Sequence, residues 1–261
     1  MKKSRLTEIS RIATETGSEL LALFQAGNSG GEIKSDHTLV TAADRQADAL
    51  IQGMIRKRYP GEGILSEEQE TRYPETSHAW VIDPLDGTVN FSRGLHYWGI
   101  AIAHMVDGYP HHGAIYFPTV DELYTAARGK GAHLNGKSLS LEGDPSGEFF
   151  PLFVHCSRMH QRYTVRTRYK KRSLGAAAYH LCLVAKGKAA LALESTPRIW
   201  DFAAAWLIIE EAGGVIRTLE GDGPFPAQPG KNYSKKPFPI LAARSAAILA
   251  EAVSSIKPRG E

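Results

Sequence analysis

With 261 residues, 43% of them apolar and 23% charged, the chain can bury a sizeable core as one large domain or two packed halves. A formal charge of +3 gives no support to nucleic-acid or membrane-surface binding, and no run approaches the roughly 18 apolar residues of a membrane span. Two cysteines, Cys156 and Cys182, exclude a disulfide-built secreted scaffold, and the opening Met-Lys-Lys-Ser-Arg leads into an amphipathic helix without a signal-type apolar core, so a cytoplasmic location is expected.

Leu6, Ile9, Ala13, Leu20 and Phe24 fall on one face of a first helix, which Gly27 ends. After a glycine-containing turn come Glu32 to Asp36 and then Leu39-Val40-Thr41. Thr41 and Asp44 have the spacing of a capping box, opening a second helix with Leu50, Ile51, Met54 and Ile55 on its apolar face. That helix ends near Tyr59-Pro60-Gly61, and a short strand over 63–65 runs straight into Ser66-Glu67-Glu68.

Residues 80–91 read WVIDPLDGTVNF. An apolar strand over 80–82 is stopped at Pro84, and Asp83 and Asp86 face each other across a turn. Two carboxylates at the end of an apolar strand repel unless a cation lies between them, and Mg²⁺ suits hard oxygen ligands of which the protein supplies only a few. Val89-Asn90-Phe91 opens a short helix whose free N–H groups would suit a phosphate. Alone, such a segment is also explained as an Asp-Pro turn with Asp86 as a helix N-cap.

Residues 97–140 read as a β-meander, with hairpin signals at Asp107-Gly108, 128–131 and Asn135-Gly136. The Gly-, Pro- and Asp-rich stretch 142–148 is the candidate boundary between an N-terminal α+β half (1–141) and a C-terminal α/β half (149–261). The second half alternates: a strand over 149–155, a basic tract over 158–172, a helix over 175–186, a strand over 189–193 and a helix over 201–212. A strand from Val215, a Gly- and Pro-rich loop over 219–238, a strand over 240–242 and a helix over 245–256 follow, so part of the sheet should be parallel. Cys182 lies in an apolar helical pattern and reads as a core residue.

Four acids thus stand at element ends: Glu67, Asp83, Asp86 and Asp201, the last also explicable as a helix N-cap. Together they could hold two Mg²⁺ ions that clamp the attacking and leaving oxygens of a phosphoryl displacement. Residues 80–91, the upstream Glu67-Glu68 and the downstream Trp200-Asp201 resemble the three-part signature of the inositol monophosphatase family, the Mg²⁺-dependent, lithium-sensitive sugar phosphatases. Arg172-Ser-Leu-Gly175 and Gly213-Gly214-Val215 match it too, so the resemblance spans nearly the whole chain.

The resemblance implies an αβαβα sandwich, with an antiparallel sheet and two helices in the N-terminal half and a mixed sheet in the C-terminal half. Most metal ligands would sit in the first half, and Asp201 and substrate contacts in the second. It implies two or three Mg²⁺ ions: Asp83 shared by two, Glu67 and the Leu85 carbonyl completing the first, Asp86 and Asp201 the second. Thr88 with Glu67 would orient and activate the attacking water, and the backbone of Gly87 and Thr88 would bind phosphate. Gly175, Ala176 and Ala177 would lie along the substrate ring, and Glu194 would accept hydrogen bonds from substrate hydroxyls. Lys34 and Asp36 match a loop that approaches the metals, and the family is commonly dimeric, so a homodimer is expected.

No covalent nucleophile is required, neither cysteine is near the signature in sequence, and no Gly-x-Ser-x-Gly elbow occurs. The expected activity is hydrolysis of a small polyol or sugar phosphate such as inositol 1-phosphate. An alternative is a bisphosphate phosphatase acting on fructose 1,6-bisphosphate or 3′-phosphoadenosine 5′-phosphate. In that case Arg158, Arg162, Arg166, Arg168, Lys170, Lys171 or Arg172 would reach a second phosphate and would not form a solvated face. A third reading is a non-catalytic regulator that uses the basic tract on RNA or a partner. Retention of all four acids and Thr88 weighs against it, and only Tyr163 and Tyr169 interleave the tract for stacking.

Overall fold

The computed structural model describes residues 4–27, 31–33, 39–141 and 151–259; Lys34, Asp36 and the stretch 142–148 lie outside them. Helix α1 (Arg5–Gln25) leads to a small hairpin, β1 (Gly31–Ile33) with β2 (Leu39–Thr41), and then to helix α2 (Ala42–Arg58). The capping box at Thr41 forms as its spacing requires: the Thr41 hydroxyl accepts from Asp44 N–H, and Asp44 Oδ2 accepts from Thr41 N–H at 2.7 Å. Strands β3 (Gly63–Ser66) and β4 (His78–Asp86) follow, then the short helix α3 (Thr88–Ser92). Next come β5 (Gly99–Val106), β6 (Tyr109–Phe117), β7 (Glu122–Ala127), β8 (Ala132–Leu134) and β9 (Lys137–Leu139). Their order in one seven-stranded sheet is their order in the chain. The hairpins turn where both φ angles are positive, at Asp107-Gly108 (48° and 80°) and Asn135-Gly136 (49° and 75°).

From β4 onward this sheet is antiparallel, but β3 joins β4 in parallel, with Ser66 opposite Ile82. The antiparallel expectation therefore needs correcting at that edge. The parallel pair has a consequence for chemistry: both strands end on the same side, so Glu67 emerges beside Asp83.

The second half contains β10 (Leu152–His155), a helical turn α4 (Met159–Arg162), β11 (Tyr163–Val165) and β12 (Lys170–Arg172). Helix α5 (Ala177–Ala185), β13 (Leu191–Glu194), helix α6 (Ile199–Glu211), β14 (Val215–Thr218), β15 (Ile240–Ala243), helix α7 (Ala246–Ser255) and β16 (Ile256–Pro258) complete it. The five-stranded order is β12-β10-β13-β15-β14, parallel across β12, β10 and β13 and antiparallel beyond. Helix α5 starts two residues later than Gly175 suggests, because Gly175 sits at φ 83°, in the left-handed region. Helix α6 starts two residues earlier than expected, which places Asp201 in its first turn and Arg198 at the N-cap.

Three apolar clusters define the layers. Ile9, Ile12 and Leu20 of α1 and Ile51 and Ile55 of α2 pack against Trp80, Ile82, Ile100 and Ile102. The alternate residues of the same strands, Ala79, Val81, Ala101 and Ala103, lie in the cluster with α5 and α6; on the second sheet α5 packs against β13 and β15, and α6 against β14. Helix α7 closes the far face against Leu191, Leu193, Leu241 and Ala243. The result is the αβαβα sandwich. Helix α6 lies between two sheets and is apolar nearly all round, as a fully buried helix must be.

Small residues set the spacing of these layers. An added Cβ at Gly17 of α1 would fall 2.4 Å from the Tyr116 ring and 2.9 Å from Pro118 Cγ. Gly17→Ala should therefore destabilise the fold by about 1–3 kcal/mol through overpacking, although alanine gains up to about 1 kcal/mol in an unencumbered helix. Urea unfolding measures the sign; a stabilised variant would show that α1 can shift away from β6 at little cost.

Candidate active site

One cleft, of about 220 Å³, gathers residues from both halves. Every site residue anticipated from the sequence lines it: Glu67, Asp83, Leu85, Asp86, Gly87, Thr88, Gly175, Ala176, Ala177, Glu194 and Asp201. Carboxylate oxygens of Glu67, Asp83 and Asp201 come within 4.8 Å of one another. Glu67 arrives at the end of β3, with its N–H donating to the Ile82 carbonyl at 3.2 Å. Asp83 is 1% exposed on β4 and accepts from Leu85 N–H at 3.1 Å. A register shift between Asp83 and Asp86 lets β4 present both acids to the cleft.

Asp86 is anchored differently. Its two oxygens accept from Ala177 N–H (3.0 Å) and Ala178 N–H (2.8 Å), the first free donors of α5. Asp86 thus ties the N-terminal half to α5, and caps that helix rather than α3, whose N-cap is Gly87 at φ 88°. Asp201 occupies the third position of α6, and its Oδ2 accepts from Arg198 N–H at 2.7 Å. The alternative explanation of Asp201 as the N-cap does not hold: that position belongs to Arg198, and Asp201 bonds back to it.

This crowding costs ionisation energy. Burial, then the charges of Glu67, Asp86 and Asp201, push the Asp83 carboxyl well above 3.8. Burial, then Glu67 and Asp86, do the same to Asp201. Burial raises Asp86 to about 6 against the pull of the two α5 N–H groups. A crowded, all-oxygen donor set fits a hard divalent cation, with Glu67, Asp83, Asp86, Asp201 and the Leu85 carbonyl as the groups able to hold it.

Two side-chain partnerships were not evident from the sequence. Thr88 Oγ1 donates to Asp44 Oδ1 at 2.8 Å, and Asp44 Oδ2 is held by the Thr41 N–H and hydroxyl at 2.7 and 2.5 Å. Asp44 had been assigned only to the capping box. One turn along α2, Asp48 accepts from Ser66 at 2.5 Å, so the same helix face supports both Thr88 and the end of β3. The second partnership joins His180 of α5 to Glu194, Nδ1 to Oε1, at 2.6 Å. Cys156, remote from the signature in sequence, also lines the cleft, with Sγ 3.0 Å from Ser195 Oγ. Burial and then the Glu194 charge hold its thiol above 9.0, the protonated and unreactive state.

None of the seven basic residues between Arg158 and Arg172 lines the cleft. Arg162 lies 3.7 Å from Glu220 and Arg168 4.0 Å from Glu251, while Lys170, Lys171 and Arg172 form the exposed edge strand β12. Charge on an edge strand discourages pairing with another chain. A second ligand-like cluster, Glu62, His78 and His104, lies elsewhere, but Glu62 is already engaged by Arg5 (2.6 and 2.8 Å) and the Trp80 indole N–H (2.8 Å).

The inositol monophosphatase family model matches residues 2–257. The chain belongs to the inositol monophosphatase family. Among family members, the Nus factor SuhB of Pasteurella multocida is 34% identical over 238 residues, covering 87% of this chain and 85% of that one. An inositol-1-monophosphatase of Mesorhizobium japonicum is 35% identical over 202 residues, covering 72% and 75%. Among solved structures, a Thermotoga maritima IMPase superposes with a TM-score of 0.80 at 27% identity, over 96% of each chain. The extragenic suppressor protein suhB of Bartonella henselae gives 0.79 at 27%, over 98% of each. No helix among the described residues is long and apolar enough to cross a membrane.

A carboxyl whose folded-state pKa stands above its unfolded value stabilises the fold only while protonated. That contribution is complete below 3.8 and is lost as pH rises through the folded-state value. Metal-free Asp83→Asn should therefore melt above the wild type at neutral pH, and the gap should close as pH falls toward 3.8. Mg²⁺ should raise the wild-type melting temperature more than that of the variant. Calorimetry across pH, with and without Mg²⁺, checks both; equal Mg²⁺ shifts would remove Asp83 from the ligand set.

Proposed function

We propose that the protein is a Mg²⁺-dependent phosphomonoesterase that hydrolyses a small polyol or sugar phosphate such as inositol 1-phosphate. The observation that carries this reading is the convergence of four carboxylates from β3, β4 and α6 on one cleft beside the Thr88–Asp44 pair. Asp83 would be shared by two ions, Glu67 and the Leu85 carbonyl serving one and Asp86 and Asp201 the other. Bound there, Mg²⁺ supplies neutralisation of phosphoryl charge and acidification of a water.

The residues of the chain do the rest. Thr88 commits its proton to Asp44 and the nearby Leu85 carbonyl (3.1 Å), so its oxygen is left to accept from the attacking water. Glu67 is the second acceptor for that water, which leaves it oriented toward phosphorus. Gly87 and Thr88 line the cleft at the start of α3, and their N–H groups would hold phosphate oxygens. Water oxygen bonds to phosphorus, the bond from phosphorus to the ester oxygen breaks, and the alcohol leaves with a proton. Glu194, which also lines the cleft, would accept from hydroxyls of the alcohol portion.

The absence of the basic tract from the cleft favours a monophosphate over a bisphosphate. The names of the SuhB relatives support a second reading, a partner-binding regulator that keeps the site. A substrate panel separates the two. Activity should vanish with EDTA and return with Mg²⁺, and Ca²⁺ should inhibit because it tolerates looser geometry. Full turnover after metal stripping would refute the metal-dependent reading, and inertness of the Mg²⁺-loaded protein toward the whole panel would favour the regulator.

Glu194→Gln should reduce kcat/KM for polyol phosphates by about 1–3 kcal/mol, the range for a hydrogen bond to a charged group. p-Nitrophenyl phosphate, which lacks the hydroxyls, should be nearly unaffected. Equal damage to both substrates would place Glu194 in the metal machinery.

A further inference from the structure

We infer that His180 is a positioning residue that holds Glu194 as an acceptor-only wall of the cleft, and so selects phosphate esters whose alcohol part presents donor hydroxyls there. This rests on the reading of Glu194 given above, and it assigns the selectivity to a residue outside the signature.

His180 is 0% exposed and Glu194 3%. The Leu174 N–H donates to His180 Nε2 at 2.9 Å, so the ring carries its proton on Nδ1 and donates it to Glu194 Oε1 at 2.6 Å. The ring cannot flip without leaving a backbone N–H and a carboxylate unpaired in a buried place. Leu174 is itself fixed, since its carbonyl accepts from Asn90 Nδ2 at 2.7 Å, and Asn90 also donates to the Tyr97 carbonyl at 2.6 Å. The turn after it is packed so closely that a Cβ on Gly175 would fall 2.7 Å from Asn90 Oδ1. A chain of contacts from α3 through residue 174 thus sets the tautomer of His180.

The consequence falls on Glu194. With Oε1 accepting from His180, no other hydrogen bond to the Glu194 carboxylate is present among the described residues, and Oε2 remains for the cleft. That oxygen can accept a hydroxyl proton but repels a phosphate oxygen. An ester with a second phosphate on this side is rejected, while a polyol monophosphate is accepted.

Two substitutions separate positioning from mere packing. His180→Asn puts an amide nitrogen near the Nδ1 position and keeps the donor to Glu194. His180→Gln puts its amide near Nε2, where it can accept from Leu174 N–H but offers Glu194 no donor. With Mg²⁺ present, His180→Gln should lower kcat/KM for inositol 1-phosphate about tenfold, chiefly through KM, and leave p-nitrophenyl phosphate within about twofold. His180→Asn should recover most of the loss, and the His180→Gln, Glu194→Gln double variant should be no worse than the poorer single one. Equal loss on both substrates, or no recovery with asparagine, overturns the proposal while leaving the phosphatase reading intact. If the wild type hydrolyses neither substrate, that reading fails instead, and the imidazole ¹⁵N spectrum decides the positioning claim. The same spectrum decides if a variant does not fold. An Nδ1 proton protected from exchange and shifted in Glu194→Gln is expected; a ring protonated on Nε2 overturns it.

Discussion

Repulsion among carboxylates is the constraint around which this structure is arranged. Oxygens of Glu67, Asp83 and Asp201 lie within 4.8 Å of one another, and at an effective dielectric of about 20 two unit charges at that range repel by roughly 3–4 kcal/mol. That is a large share of the roughly 5–15 kcal/mol by which a domain is stable. Each acid is therefore placed by an element with other reasons to stay where it is. Asp83 continues a strand buried on both faces, Asp86 caps α5, and Asp201 bonds back within the first turn of α6. Both helices point their N-termini at the acids, where the helix dipole favours negative charge.

The arrangement depends on α6 fitting between two sheets. Its Ala203, Ala204 and Ala205 share one apolar cluster with Ala101 and Ala103, and a Cβ on Gly113 would meet Ala204 O at 3.1 Å. Small residues on both sides let the helix approach closely enough for Asp201 to reach Asp83. Bulk on this surface would lift the helix and open the carboxylate cluster, so packing far from the cleft sets its geometry. The parallel pairing of β3 with β4 does the same for Glu67. Antiparallel pairing would carry Glu67 to the opposite end of Asp83's strand.

Local signals in the sequence are legible because local chemistry determines them. Thr41 and Asp44 meet within one turn, Asp107-Gly108 and Asn135-Gly136 adopt the positive φ angles their residue types favour, and the apolar face of α1 follows its periodicity. The site residues were legible through three short motifs and family resemblance, not through periodicity. What stayed hidden depends on tertiary approach. The direction of β3 relative to β4 is decided by how 67–77 crosses, which no residue in that stretch announces. Thr88 meets Asp44 across 44 positions and His180 meets Glu194 across 14. Cys156 reaches the cleft only because β10 lies beside β13. The basic tract is open to two readings in the sequence, a solvated face or a contact to a second phosphate; β12 places three of its cations along a sheet edge.

Two clusters of ligand-type side chains exist in this fold, and a comparison of them shows what marks a cation site. Around Glu62 the protein supplies its own positive charge and donors: Arg5 and the Trp80 indole satisfy the carboxylate. His104, pushed down to about 2 by burial and then by Arg5, stays neutral between His78 and His112. That cluster is electrically complete and ties α1 to the sheet. At the cleft, the groups that act most on Asp83 and Asp201 among the described residues are burial, other carboxylates and a backbone N–H. The same density of acidic and imidazole groups can therefore be a structural clasp or a metal centre. The deciding property is what acts on each carboxylate: Arg5 and an indole N–H on Glu62, other carboxylates on Asp83 and Asp201.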